Sequence, residues 1–462
     1  MKQLYTSLAL LLVLAGVGGW IYFNERGPIA ARGSTVLLRL EPEKISNLSI
    51  QTRAGERLEF ARQNGNWNVR RTGVKMLGVP ADDESAQSLL NALQLVQSGA
   101  IIGENASPAE LAAYGLDQPR SSLSVGGAKI EFGDKPQFDV TKFYARVSGA
   151  GETASQIALL PSGLGEFTFK TLDDWRDKSI LSLDEKEIQT LTLKSPAVNA
   201  TFAHDTENVL GNSGAWKLSS PVKSLADAAM LGLFLQQLPQ TKTTKFLEES
   251  PRNAAAWGLD KPVATLELTT SKGRSTLRVG KAVAGGYAAQ NSSSPAVFVM
   301  PAPLLGIMSR PLLDWRDKSV LKLNTGRLKT LKVLARGGQM NFDQTSGKWL
   351  REDGKNENKF TVAALEIGFV LQKLEAISFI DQPQSLSPYG LDKPILELRL
   401  TSDEWSGERT VQFGRKAKLK KGKVYARVLG QPDFSPVILV LPPEALDGFE
   451  VSQNIIFGVK KK

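Results

Sequence analysis

The sequence predicts an α+β protein: a single N-terminal transmembrane helix, then three tandem repeated domains. Each domain is expected to be an antiparallel sheet with one amphipathic helix and one short helix. Three observations carry this reading. Leu4–Phe23 is a 20-residue run without charge. The octapeptide Asp-Trp-Arg-Asp-Lys-Ser-Ile-Leu (Asp174–Leu181) returns as Asp314–Leu321, with valine for isoleucine the one change. A Gly-Leu-Asp-x-Pro turn occurs three times, at Gly115, Gly258 and Gly390.

Twenty helical residues span about 30 Å, the thickness of a bilayer's hydrocarbon core. Trp20 and Tyr22 stand at the far end of the run, where an interfacial aromatic belt would lie. A cleaved signal peptide is the alternative, with Ala15-Gly16-Val17-Gly18 as its small-residue site. Cleavage there would leave apolar Trp20–Phe23 on the mature end, so an uncleaved anchor is the expectation. Lys2 and the free amino group place positive charge before the span, which directs the bulk of the chain out of the cytoplasm.

The repeat shows in landmarks that keep one order. Trp67, Trp216 and Trp349 each sit in a Gly/Asn/Ser-rich turn that runs into a short strand. An amphipathic helix follows, its apolar stripe at Ala86, Leu89, Leu90 and Leu93 in the first copy. The stripe is Leu231, Phe234, Leu235 and Leu238 in the second and Ile367, Val370, Leu371 and Leu374 in the third. That spacing puts four side chains on one helix face. The short helix comes next. Ser107-Pro108-Ala-Glu110 is an N-cap, a first-turn proline and a capping-box glutamate. Pro251 and Pro383 stand at the matching places of the other copies. The helix ends in the aromatic-Gly-Leu-Asp turn led by Tyr114, Trp257 or Tyr389.

Alternating runs then predict antiparallel strands: Lys129–Phe132, Phe143–Val147 and Gln156–Leu160 in the first copy. The second has Ser275–Val279, Gly286–Ala289 and Ala296–Met300, and the third Thr410–Phe413, Val424–Val428 and Val437–Leu441. The expected boundaries are an anchor over 1–24, a stalk over 25–35, and domains over 36–181, 182–321 and 322–462.

Composition narrows the chemistry. The chain has 462 residues, no cysteine and one histidine, His204. Disulfides, thiolate nucleophiles and cysteine metal sites are excluded, and most zinc and Ser–His chemistry with them. No phosphate loop, HExxH or GxSxG occurs. Serine–lysine chemistry stays open, though no Ser-x-x-Lys recurs in matching positions. No catalytic residue, metal ligand or cofactor is assigned.

The repeated side chains are candidates for structure or for a shared site. They are Gly115, Leu116, Asp117 and Pro119; Gly258, Leu259, Asp260 and Pro262; and Gly390, Leu391, Asp392 and Pro394. The three aspartates could be ligands, but a turn aspartate accepting nearby backbone N–H groups explains them more simply. Trp175, Arg176 and Asp177, with Trp315, Arg316 and Asp317, could form a duplicated site, a surface or a clasp between domains. The clasp is favoured, with Trp175 and Trp315 covering a domain edge, because the octapeptide leads from one domain into the next and is missing where no domain follows. The net charge is +10, with more than half of the excess after Lys322. Arg415, Lys416, Lys418, Lys420, Lys421 and Lys423 concentrate much of it in a hairpin loop found in one copy. That loop is either a solvated turn or a surface for an anionic polymer or lipid headgroup. Nucleic acid is not an expected partner, since no aromatic–basic interleaving is present.

The N-terminal span, the Tyr/Trp-Gly-Leu-Asp-x-Pro turn, the Tyr-Ala-Arg-Val strand (Tyr144–Val147, Tyr425–Val428) and the closing Trp-Arg-Asp-Lys are similar to the bacterial domain-of-unknown-function family 4340. The third copy departs from that pattern with Leu446-Asp-Gly-Phe449. The resemblance implies tandem copies behind a membrane anchor and no established activity. It also implies an association with ABC-type transporters of the gliding-motility kind. The resulting expectation is a non-enzymatic accessory or scaffold protein of the bacterial inner membrane, with its bulk in the periplasm.

Overall fold

The computed structural model describes residues 37–38, 40–73, 78–94, 100–149, 152–181, 184–204, 216–251, 253–335, 338–345, 348–351, 358–415, 422–431 and 434–457. The predicted span Leu4–Phe23 lies outside them, as does the stalk. Among the described residues no helix is long and apolar enough to cross a membrane.

Three antiparallel sheets follow one another along the chain. In spatial order the first runs β4 (Val79–Pro80), β3 (Asn66–Arg71), β2 (Arg57–Gln63), β1 (Asn47–Gln51), β6 (Ser121–Val125), β7 (Ala128–Phe132), β8 (Lys142–Gly149), β9 (Glu152–Pro161) and β5 (Ala100–Glu104). Two meanders thus meet at β1 and β6. The chain between them carries the long helix Asp83–Gln94 across the sheet and drops β5 at the far edge. The second sheet, Ile188–Met300, keeps this order strand for strand. The third, Leu328–Leu441, keeps it except that no counterpart of β4 occurs among the described residues.

Each sheet owns a core under its long helix. Ala86, Leu89, Leu90 and Leu93 are all buried, as are Leu231, Phe234, Leu235 and Leu238 on the second helix (Ala228–Gln240). The third helix, Asn358–Lys373, is rolled relative to the expected stripe. It buries Phe360, Ala363, Ala364, Ile367, Gly368 and Leu371 and leaves Val370 and Leu374 half-buried. The cause is a terminal helix, Asp447–Phe457, laid against it. Gly448 abuts Val370, Ser452 Oγ donates to Glu366 (2.8 Å), and buried Phe449 packs on Phe413.

Strand alternation puts charge on the face away from each helix. In the first sheet Glu131 is held by Lys129 (2.7 Å) and by Arg146 (2.6 Å), the arginine of Tyr-Ala-Arg-Val. In the third, Glu397 accepts from Arg399 and Gln412 (both 2.6 Å), and Gln412 accepts from Arg427 (2.6 Å), the same motif arginine. In the second sheet Glu267 pairs with Lys194 at 3.1 Å.

The chain divides into two compact units, Met1–Lys178 and Ser179–Lys462, so the second and third repeats share one unit. The division falls inside the first octapeptide.

Burial alone would raise the Glu131 carboxyl, but hydrogen bonds from Arg146 and Lys129 outweigh it and hold the group below the ordinary carboxylate range. A depressed folded pKa stabilises the fold above the unfolded value, about 4.3, and that contribution is lost as pH falls through the folded one. Urea unfolding midpoints of wild type should therefore fall more steeply than those of Glu131→Gln below about pH 4.3. Equal slopes would refute the assignment.

Candidate functional site

The Gly-Leu-Asp turn is built the same way three times. Gly115, Gly258 and Gly390 adopt left-handed φ of 68°, 72° and 67°. The next N–H, of Leu116, Leu259 or Leu391, reaches back to the carbonyl of Leu111, Ala254 or Leu386 (2.8, 3.0 and 3.2 Å). This is the six-residue helix stop that glycine permits. The leucines are buried, and Pro119, Pro262 and Pro394 lead into central strands. The aromatic residue before the glycine places its carbonyl against the strand that follows. A Cβ on Gly133, Gly280 or Gly414 would overlap the oxygen of Tyr114, Trp257 or Tyr389. In the first and third copies the tyrosine ring also meets the tyrosine of Tyr-Ala-Arg-Val, Tyr114 with Tyr144 (4.6 Å) and Tyr389 with Tyr425 (5.1 Å). Trp257 instead donates its indole N–H to Glu248 at 2.7 Å.

Two details differ from the sequence reading. Among the described residues the capped helix, with Ser107 and Glu110 in a reciprocal box, is confined to the first copy. The others make single 3₁₀ turns, Ala254–Trp257 and Ser387–Tyr389, that begin after Pro251 and Pro383 because no such box holds those prolines at a helix start. Asp117, Asp260 and Asp392 are exposed, and among the described residues no backbone N–H reaches their carboxylates.

The octapeptide is an extended strap. In the first unit Asp82 N–H donates to Trp175 O (2.8 Å) and Asp177 N–H to Pro80 O (2.9 Å). In the second unit Asp227 N–H donates to Trp315 O (2.9 Å) and Asp317 N–H to Leu225 O (3.1 Å). Asp82 and Asp227 also cap the long helices, accepting from Ser85 N–H (3.1 Å) and Met230 N–H (2.8 Å). The strap therefore fixes each long helix at its N-cap. The tryptophans do not cover an edge between domains: each lies fully buried in the core of its own repeat. Trp175 meets Phe60 (5.0 Å) and Phe167 (5.8 Å), and Trp315 meets Phe234 (5.3 Å) and Phe202 (5.8 Å). A large ring gains most where it leaves water altogether.

Beyond the tryptophan, the second strap changes partners. Ala376 N–H donates to Lys318 O (2.7 Å) and Val320 N–H to Leu374 O (2.9 Å), tying it to the third repeat. Arg316, 3% exposed, pairs with Asp381 at 2.6 Å and lies 3.8 Å over the Phe379 ring, both in the third repeat. Asp317 turns the chain by accepting Ser319 N–H (2.8 Å) and pairs with Lys322 (2.6 Å). In the first octapeptide Arg176 is equally buried and has Asp173 at 3.6 Å. There Ser179 and Ile180 pair with Lys242 and Thr241 of the second repeat, within the second unit.

Beside the second strap is a cavity of about 1110 Å³, walled by both repeats. Lys223 and Ser435 close its rim with two hydrogen bonds of 2.9 Å. The third sheet contributes Trp405 and Arg409, stacked at 4.2 Å, from the strand Trp405–Arg415. Burial pushes the Arg409 guanidinium below its ordinary value, and Glu404 opposes that shift. Sequence reading missed this place. Trp405 and Arg409 occur in one copy only, so repetition does not point to them.

Of the basic cluster, Lys416, Lys418, Lys420 and Lys421 lie outside the described residues. Arg415 ends a strand and Lys423 precedes the next, so the cluster does span a connection between adjacent strands. His204 ends a strand, half-buried against Trp216.

A family model described as "Domain of unknown function (DUF4340)" matches residues 74–209 and 216–394, more than half of the chain. The chain belongs to this family. The two matched segments accord with tandem copies, and together they include all three Gly-Leu-Asp turns and both octapeptides of this DUF4340 chain. No curated protein matches. Two solved structures from Pseudomonas aeruginosa align over most of their length. A DNA polymerase sliding clamp with ligand is 9% identical, covering 88% of this chain and 93% of its own, with a TM-score of 0.13. The DNA polymerase III subunit beta is 9% identical, covering 87% and 94%, with a TM-score of 0.15. At such scores neither likeness bears on fold or function.

The strap makes different demands on its two halves. Trp315→Ala should destabilise the second repeat by about 3–5 kcal/mol through its core. Asp381→Ala should cost about 2 kcal/mol or more by stranding a buried guanidinium. It should also split the unfolding of residues 179–462 into two transitions, read by calorimetry. A single unshifted transition in Asp381→Ala would disprove the coupling.

Proposed function

We propose that this protein is a membrane-anchored, extracytoplasmic accessory or scaffold subunit with no catalytic role of its own, held by Leu4–Phe23. Its partner would be a membrane complex such as subunits of an ABC-type transporter. One observation carries the reading: three sheets of one topology, arranged in tandem, each turn a charged face away from the helix. Rows of ion-paired side chains such as Glu131 with Arg146 make rigid polar surfaces rather than clefts for chemistry. Repeated surfaces on one chain multiply weak contacts through effective concentration. The recurring side chains support the same reading, because their contacts are structural: helix stops and strand approaches in all three copies, and core rings in the first two.

The full chain, tagged at its C-terminus and purified from gently solubilised membranes, should bring down a multi-span transport or envelope component. Deletion of residues 1–24 should release it from the membrane fraction and lower that recovery. Recovery of the chain alone under crosslinking would sink the proposal.

A further inference from the structure

The cavity beside the second strap has a chemistry that the scaffold reading does not use. Its lining carries five cations, Lys223, Arg316, Lys322, Arg327 and Arg409, against Asp317, Asp403 and Glu404. Two of the acids are already engaged, Asp317 with Lys322 at 2.6 Å and Asp403 with Lys329 at 2.5 Å. Arg316 is engaged with Asp381. Among the described residues Lys223, Arg327 and Arg409 make no ion pair, and Glu404 is the one acid of the lining outside an ion pair, acting on Arg409 through its charge alone.

Hydrogen-bond donors show the same imbalance. Arg409 Nε, Trp405 Nε1 and Arg316 Nε are all buried and have no acceptor. Burying a donor unpaired costs about 1–3 kcal/mol, so three around one cavity are an unusual concentration. These N–H groups are closed off from solvent, so a ligand's acceptor oxygens would reach them only through a shift of the wall side chains. The uncharged lining is mixed: polar side chains such as Ser319, Asn324 and Gln372 share it with an apolar and aromatic part that includes Phe379, Phe434, Leu429 and Val437. The volume of about 1110 Å³ is at the upper end of the range for small-molecule sites, roughly 300–1,000 Å³.

We propose that this cavity binds a small organic anion with an apolar body. Arg409 and Arg327 receive the phosphate or carboxylate, and Phe434 and Leu429 cover the body. Arg409 holds the headgroup most strongly, because stacking on Trp405 fixes its plane and partial burial strengthens its field. Its guanidinium supplies the paired N–H groups that match two oxygens of one anion. The site is independent of any scaffold partner.

The test is isothermal titration of the full chain, in a non-ionic detergent, with hexyl phosphate, hexanoate, inorganic phosphate and hexanol. Saturable binding of hexyl phosphate or hexanoate is expected, with phosphate and hexanol each at least about tenfold weaker. Whichever of the two amphiphiles binds more tightly distinguishes a phosphate from a carboxylate headgroup. Arg409→Met should weaken binding about tenfold or more. Arg409→Lys keeps the charge but loses Nε, and should give a smaller loss. An unchanged melting temperature in Arg409→Lys serves as the check on folding. Equal binding of inorganic phosphate would overturn the apolar part of the proposal, and equal binding of hexanol the anionic part. No saturable binding, or affinity unaltered by both Arg409 variants, would overturn it entirely.

Discussion

The backbone of one extended strap, Trp315 to Val320, is the constraint from which the rest of the second unit follows. Its carbonyls and amides are shared between two repeats: Trp315 and Asp317 with Leu225 and Asp227 behind, Lys318 and Val320 with Leu374 and Ala376 ahead. A strand that donates and accepts on both sides has no free edge, and it cannot slip without breaking both sets of bonds. The tryptophan sets the register from within a core, and the arginine sets it again from the neighbouring repeat. This accounts for near-identity of all eight residues in two copies. A surface that merely touched a partner would tolerate more change than Ile to Val.

Helix and strand positions were legible because their periodicities are local. Ala86, Leu89, Leu90 and Leu93 face inward as their spacing requires, and Lys129–Phe132 lies within the strand observed. The glycine turns were legible too, since a left-handed stop needs a glycine whatever surrounds it. The short edge strands Ala100–Glu104, Phe246–Glu248 and Ser378–Ile380 were not read. Each pairs with a partner far along the chain, and no local pattern encodes that. The direction of the tryptophans escaped for a similar reason. Whether Trp315 points into the second core or over its edge depends on Phe202 and Phe234, more than 80 residues upstream. The Arg316–Asp381 pair joins two copies that look independent in sequence, and the Trp405–Arg409 stack has no counterpart to draw attention to it.

The three copies are equal in topology and unequal at their ends. The first two close on the octapeptide, while the third closes on the helix Asp447–Phe457, which rolls its long helix and buries Phe449. The second octapeptide ties its repeat to the third, whereas the helix Asp447–Phe457 packs on the long helix of its own repeat. Variation is otherwise concentrated where the sheet order is indifferent to it: the Tyr-Ala-Arg-Val arginines keep their role in the first and third sheets, whereas the second pairs Glu267 with Lys194 instead.

The rim formed by Lys223 and Ser435 has a mechanical meaning. Because one wall of the cavity belongs to the second repeat and another to the third, the cavity exists only while the two repeats stay packed together. By linkage, whatever occupies such a space stabilises the packing of the two repeats, and more so as its concentration rises above its dissociation constant.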